Sequence, residues 1–185
     1  GNPMLKIISG FLAGVVVVAV LAWQFGGGLM VQEYPSPFGL QETVARIQHN
    51  IKDAGWSLSG LRSPSNTIRK MGANVPNVLL IETCKPDYSK PIIKDDDTRI
   101  LSILMPCTIT VYEKGDGVYI GLLNSGLMGR LFGPMVTEVM GKVAADQKKF
   151  ITFDPSKPAP AIIRPKAASG GGSSGKGGIQ DLGGC

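Results

Sequence analysis

The sequence predicts an α+β fold: one antiparallel sheet with two helices on one face, in the order β-α-β-β-β-β-α, preceded by one transmembrane helix. Three patterns predict it. A charge-free apolar run covers Ile7–Trp23. Two amphipathic stretches bracket a series of strand-like segments. Within that series, Lys114-Gly115-Asp116-Gly117 supplies the glycines a tight hairpin needs.

The first run reads IISGFLAGVVVVAVLAW. As a helix it rises about 26 Å, near the lower limit for a bilayer core, and the residues through Met30 extend it. Ile7, Phe11, Val15, Val18 and Leu21 face lipid in this reading, and Trp23 suits the interface. A helix pairs its own backbone groups, which lipid cannot do. A cleaved signal peptide is the competing reading, with Lys6 as its basic region. Ala-Trp-Gln-Phe after Leu21 offers no small-x-small cleavage site, so an uncleaved anchor is expected. Lys6 is the one charge before the span. The positive-inside bias then puts the N-terminus in the cytoplasm and the domain outside, the periplasm for a bacterial inner membrane. The opening Gly-Asn-Pro, without methionine, suggests a missing or processed N-terminus.

Residues 1–28 are therefore expected to be the anchor, 29–154 the domain, and 155–185 a Pro/Gly-rich strap or tail. Met30–Tyr34 is a short strand candidate. Ser36-Pro37 then announces a helix with Ser36 as its N-cap. Leu40, Val44, Ile47 and Ile51 recur at helical spacing, and Gly55 closes the helix. His49 lies opposite that stripe and is expected at the surface. Trp56–Leu61 follows as a strand, Thr67–Met71 as a helical turn or strand, and Val78–Thr83 as a buried strand. Lys85–Arg99 is expected to be a polar loop. Its Asp95-Asp96-Asp97 run lacks the alternating ligands and closing glutamate of a calcium loop. Ile100–Glu113 is a strand broken at Pro106, and Val118–Leu123 the last strand. Leu131, Met135, Val139, Met140, Val143 and Ala144 form a second amphipathic helix reaching Phe150. Met128, Met135 and Met140 could evoke a soft-metal site, but their spacing among aliphatic neighbours favours packing. Beyond Asp154, the prolines favour an extended strap, and Ser169–Gly178 reads as a flexible linker.

Composition narrows function. The net charge is +5 with no dense basic block, and aromatics do not interleave with the cations, so no nucleic-acid partner is expected. His49 is the one histidine, which excludes a zinc or haem site built from several imidazoles within one chain. Nucleophile-elbow, phosphate-loop and HExxH motifs are missing, so no catalytic residues, cofactor or small-molecule substrate are assigned.

Cys84 and Cys107 are the candidate constellation, at the ends of what should be neighbouring strands. Three readings stay open: a structural disulfide, two functional thiols carrying sulfur or a soft metal, and small buried residues. Alternation puts Cys107 with Ile109 and Val111 on the helix side, while Cys84 could face either way.

Several short motifs are collinear with a known family: Pro37-Phe38, Glu42-Thr43-Val44, Ala54-Gly55-Trp56, Cys84-Lys85-Pro86, Pro106-Cys107, Val111-Tyr112-Glu113 and Asp146–Phe150. Over residues 31 to 153 the chain resembles the domain of unknown function 302 family. The resemblance implies a TATA-binding-protein-like α+β fold, with no DNA-binding implication. It implies no activity, and the anchor and glycine-rich tail lie outside it.

The expected role is a membrane-anchored, non-catalytic accessory subunit. Its open sheet face and strap would dock on other subunits of a membrane complex, with membrane lipid as its second partner. The alternative is an anchored thiol protein carrying sulfur or a soft metal through Cys84 and Cys107.

Overall fold

The computed structural model describes residues 1–166. Helix α1 (Pro3–Met30) is continuous and has no buried residue. By length and composition it is long and apolar enough to cross a membrane. Ile7, Phe11, Val15, Val18, Leu21 and Trp23 are all exposed along it. The chain passes directly into strand β1 (Val31–Ser36) with no linker.

Helix α2 (Leu40–Asp53) follows, then β2 (Ser57–Arg62), α3 (Pro64–Lys70) and β3 (Val78–Cys84). Helix α4 (Pro86–Lys94) and a 3-10 helix (Arg99–Leu104) lead to β4 (Cys107–Lys114) and β5 (Gly117–Leu123). Helices α5 (Ser125–Gly129) and α6 (Pro134–Phe150) complete the fold. The five strands form one antiparallel sheet in the order β1-β5-β4-β3-β2. The α+β sandwich expected from the sequence is therefore present.

Alternation along the strands separates two faces. Ile81, Ile109, Val111, Ile120 and Leu122 point inward and meet Val44, Ile47 and Ile51 of α2 and Val143 and Phe150 of α6. Trp56 meets Phe150 edge-to-face, with centroids 5.3 Å apart. A satellite cluster of Ile92, Leu101, Val136 and Val139 joins α4, the 3-10 helix and α6. Gly115 at φ 64° makes the β4–β5 turn, as its place in the hairpin requires.

Several local expectations need correction. Lys85–Arg99 is not simply a loop. Pro86 occupies the first helical turn, where its missing N–H costs nothing, and Tyr88 and Ile92, four residues apart, pack inward. Packing of that face outweighs Pro91 within the helix. Ile100–Leu104 is a 3-10 helix, and β4 starts only at Cys107, after Pro106, which has no N–H to donate. Residues 67–70 belong to α3, whose N-cap Ser63 accepts from the Asn66 N–H at 3.3 Å. Ser36 ends β1 rather than capping α2. Its hydroxyl pairs with that of Thr43 at 2.6 Å, and the N-cap position falls to Gly39. Leu131 lies before α6 and is exposed.

The strap has no regular secondary structure through residue 166, yet it is held. Arg46 donates to the carbonyls of Asp154 (3.0 Å) and Lys157 (2.8 Å). Asn50 donates to those of Phe150 (3.0 Å) and Thr152 (3.1 Å). The His49 ring is exposed, as expected of a surface residue, and its Nε2 lies 3.0 Å from the Ala161 carbonyl oxygen. Helix α2 is thus sandwiched between sheet and strap, which explains why Arg46 and Gln48 are buried despite lying outside the apolar stripe. The linker Ser169–Gly178 and Cys185 lie outside the described residues.

Candidate functional site

The ends of β3 and β4 place Thr83 opposite Cys107. Below them, α4, the 3-10 helix, α5 and α6 line a partly open cavity of about 50 Å³. Cys84, Cys107, Met105, Met128, Met140 and Phe132 are among its walls. Tyr88, Ser89 and Lys85 stand where polar groups reach it. The volume exceeds what one water needs, but the walls offer few hydrogen-bond partners.

The two cysteines expected to lie close both border this cavity, in different chemical states. Cys84 is buried and disulfide-bonded. Cys107 is a free thiol, so the two are not bridged to each other and are not a pair of thiols. Burial pushes the Cys107 thiol above its ordinary value. That keeps it protonated and a poor nucleophile at neutral pH. It faces inward with Ile109 and Val111, as alternation along the strand implies.

Beside the cavity stands an assembly that sequence reading missed. Asp146 on α6 accepts at Oδ2 from the Trp56 indole (2.9 Å) and the Tyr88 hydroxyl (3.0 Å). Lys149 Nζ donates to Oδ1 at 3.3 Å, and Lys85 Nζ sits 3.9 Å from Oδ2 and 4.6 Å from the Tyr88 ring centroid. Burial by itself would raise the Asp146 carboxyl, but the bonds from Trp56, Tyr88 and Lys149 outweigh it and hold the group below its ordinary value. Both oxygens are occupied by fixed donors, which suits a structural carboxylate rather than a proton acceptor. A signal did exist: a buried indole N–H needs an acceptor, and α6 offers one at its inward-facing Asp146.

Among the described residues, no helix covers the outer sheet face. Tyr112 and Tyr119 stack across β4 and β5 with centroids 6.3 Å apart. Glu33 on β1 accepts from the Tyr112 hydroxyl and from Lys114, whose Nζ also lies 4.4 Å from the Tyr119 ring centroid. Burial and the Glu33 carboxylate push Tyr112 up to about 12. Gly121 keeps this face open, since a Cβ there would meet Thr110 Cγ2 at 2.5 Å. The Asp95–Asp97 run forms a turn: Asp95 Oδ1 accepts from the Asp97 and Thr98 N–H groups, and Asp96 pairs with Arg99. Among the described residues, no three His, Cys, Asp or Glu side chains gather as metal ligands.

The family described as "Domain of unknown function DUF302" matches residues 32–152, which include β1 from Gln32 onward, strands β2 to β5 and both core helices. The chain belongs to the DUF302 family. The crystal structure of an uncharacterized conserved DUF302 protein from Bacillus stearothermophilus superposes with a TM-score of 0.60 at 17% identity. It covers 66% of this chain and 96% of that one, so the likeness shows the shared fold. A 51-residue stretch is also 39% identical to the leucine–tRNA ligase of Methylobacillus flagellatus. It spans 28% of this chain and 6% of that enzyme's length. The DUF302 match contains Trp56, Cys84, Tyr88, Cys107 and Asp146, while all of α1 and the strap beyond Thr152 lie outside it.

Proposed function

We propose that this protein is a single-pass, membrane-anchored accessory subunit without catalytic chemistry of its own, whose DUF302 domain docks on other subunits of a membrane complex. The uncovered sheet face carries this reading. It presents a stacked tyrosine pair held in place by Glu33 and Lys114, and tyrosines are enriched at protein interfaces because they bury large area at low entropic cost. The prominent polar cluster, around Asp146, is consumed in holding Trp56 and Tyr88. The strap supports the same reading, since as far as residue 166 it lies on α2 rather than on the outer sheet face.

Lys6 before the apolar helix favours a cytoplasmic N-terminus and a domain on the outer side of a bacterial inner membrane. The disulfide at Cys84 suits the oxidising compartment found there. A sulfur or soft-metal carrier working through Cys84 and Cys107 has less support, because it requires Cys84 to be reduced first.

The test is purification from native membranes in mild detergent with cross-linking. Defined partner chains are expected to co-purify, and Tyr112→Ala with Tyr119→Ala is expected to release them while the domain stays folded. A protein that runs alone at all loadings contradicts the reading.

A further inference from the structure

We infer that the end of the domain where α1 leaves it is itself a lipid-contacting surface, so that the protein sits partly immersed in the headgroup layer rather than swinging above it. The inference rests on the reading of α1 as a membrane span. Two observations carry it.

The first is a rigid exit. Asn124 donates from Nδ2 to the Leu29 carbonyl (2.9 Å) and from its backbone N–H to that of Met30 (2.8 Å), while its Oδ1 accepts from the Leu127 N–H (3.2 Å). Val31 pairs with Leu123 in the adjoining ladder. The end of α1 is therefore built into the domain. With Lys6 at one headgroup layer, Leu29 lies about 35 Å along the helix axis, against a hydrocarbon core of roughly 30 Å. The pinned end thus falls inside the opposite headgroup layer, and the domain surface around it falls there too.

The second is what that surface exposes. Ile100 (75% exposed) and Ile103 (83%) stand three residues apart, on one side of the 3-10 helix. Ile103 shares a groove with Leu123 (39%) and Met128. Phe132 (44%) borders the neighbouring cavity beside Leu101 and Met128, next to Leu131 (66%). From Ile100 to Thr108 there is no charged residue, and from Gly117 to Thr137 the sole charge is the exposed cation Arg130. Beyond the Asp96–Arg99 ion pair just before Ile100, these segments expose aliphatic and aromatic side chains with one cation and no acid, which suits an anionic lipid interface. The patch adjoins the anchor's exit, which selects lipid as its occupant.

Bromolipid quenching of tryptophan fluorescence tests this on the full chain, in vesicles of phosphatidylcholine and phosphatidylglycerol brominated on their acyl chains. The difference between the unaltered protein and Trp23→Phe, in which buried Trp56 remains as a common background, gives the Trp23 signal and reports insertion of α1. Phe132→Trp in a Trp23→Phe background reports the patch. Met71→Trp in the same background reports an exposed apolar position at the end of α3, the helix that follows β2 at the opposite sheet edge. The expected result is quenching at Trp23 and quenching of the Phe132→Trp variant at least about twofold above the Met71→Trp variant. Quenching at Trp23 with the two variants alike overturns the lipid surface and leaves the anchor standing. No quenching at Trp23 overturns the span, and this inference with it.

Discussion

Gln48 on α2 and Ile163 in the strap exchange two hydrogen bonds across 115 residues of chain. The side-chain amide donates to the Ile163 carbonyl at 2.7 Å, and its oxygen accepts from the Ile163 N–H at 2.8 Å. Gln48 is fully buried, so the strap forms the roof over α2. Gln48→Ala leaves both Ile163 groups without those partners and is expected to cost about 2 kcal/mol. Hydrogen exchange at the Ile163 amide should accelerate while exchange in β3 and β4 is unchanged.

Asp146 predicts an acid-sensitive fold. Its carboxyl lies below the ordinary value of 3.8 in the folded protein. The unfolded state therefore takes up a proton first as pH falls. The contribution is fully present above about pH 4 and is lost as pH drops through the folded-state value. Asp146→Asn is expected to flatten the stability profile in that range. Asp146→Ala leaves the Trp56 and Tyr88 donors unpaired and should cost about 2–4 kcal/mol at neutral pH. Urea unfolding as a function of pH measures both.

Cys107 should resist labelling. Its raised thiol value and inward position predict alkylation at pH 8 at least about tenfold slower than for an exposed cysteine, becoming fast on unfolding. Cys84 should take label only after reduction. Mass spectrometry of peptides alkylated before and after reduction reads both, and rapid native labelling of Cys107 would revive the case for a reactive thiol.

Gly129 brings α5 tightly against α6. A Cβ there would come within 2.6 Å of Met140 Cβ and 3.2 Å of the Val136 carbonyl oxygen. Gly129→Ala should therefore cost about 1–3 kcal/mol despite the better helix former, lowering Tm by several degrees. An unchanged or raised Tm would mean that α5 can shift without loss.

Asn124 couples anchor and domain. Asn124→Ala removes the bonds to Leu29 and Leu127 and should destabilise α5 by about 1 kcal/mol. Distances between spin labels on α1 and α6 should broaden in the variant. A distribution as narrow as in the unaltered protein would show that β1 pairing suffices to fix the exit.

The sequence by itself determined whatever depends on near neighbours along the chain. The uncharged run made α1 a helix, the 3.6-residue stripe from Leu40 to Ile51 oriented α2, and alternation set Cys107 facing the helices. Tertiary structure decided what depends on groups far apart in the chain. Lys85–Arg99, with two prolines and six acidic or basic residues from Lys90 through Arg99, reads as loop until Tyr88 reaches Asp146 and Ile92 reaches Val136 and Val139. The state of Cys84, the burial of Gln48 and the role of Asp146 were likewise invisible locally, because no periodicity records which distant partner will satisfy a buried polar atom. Local pattern encodes which face is apolar, whereas pairing across the fold is settled only when the layers close and each desolvated group must find its bond.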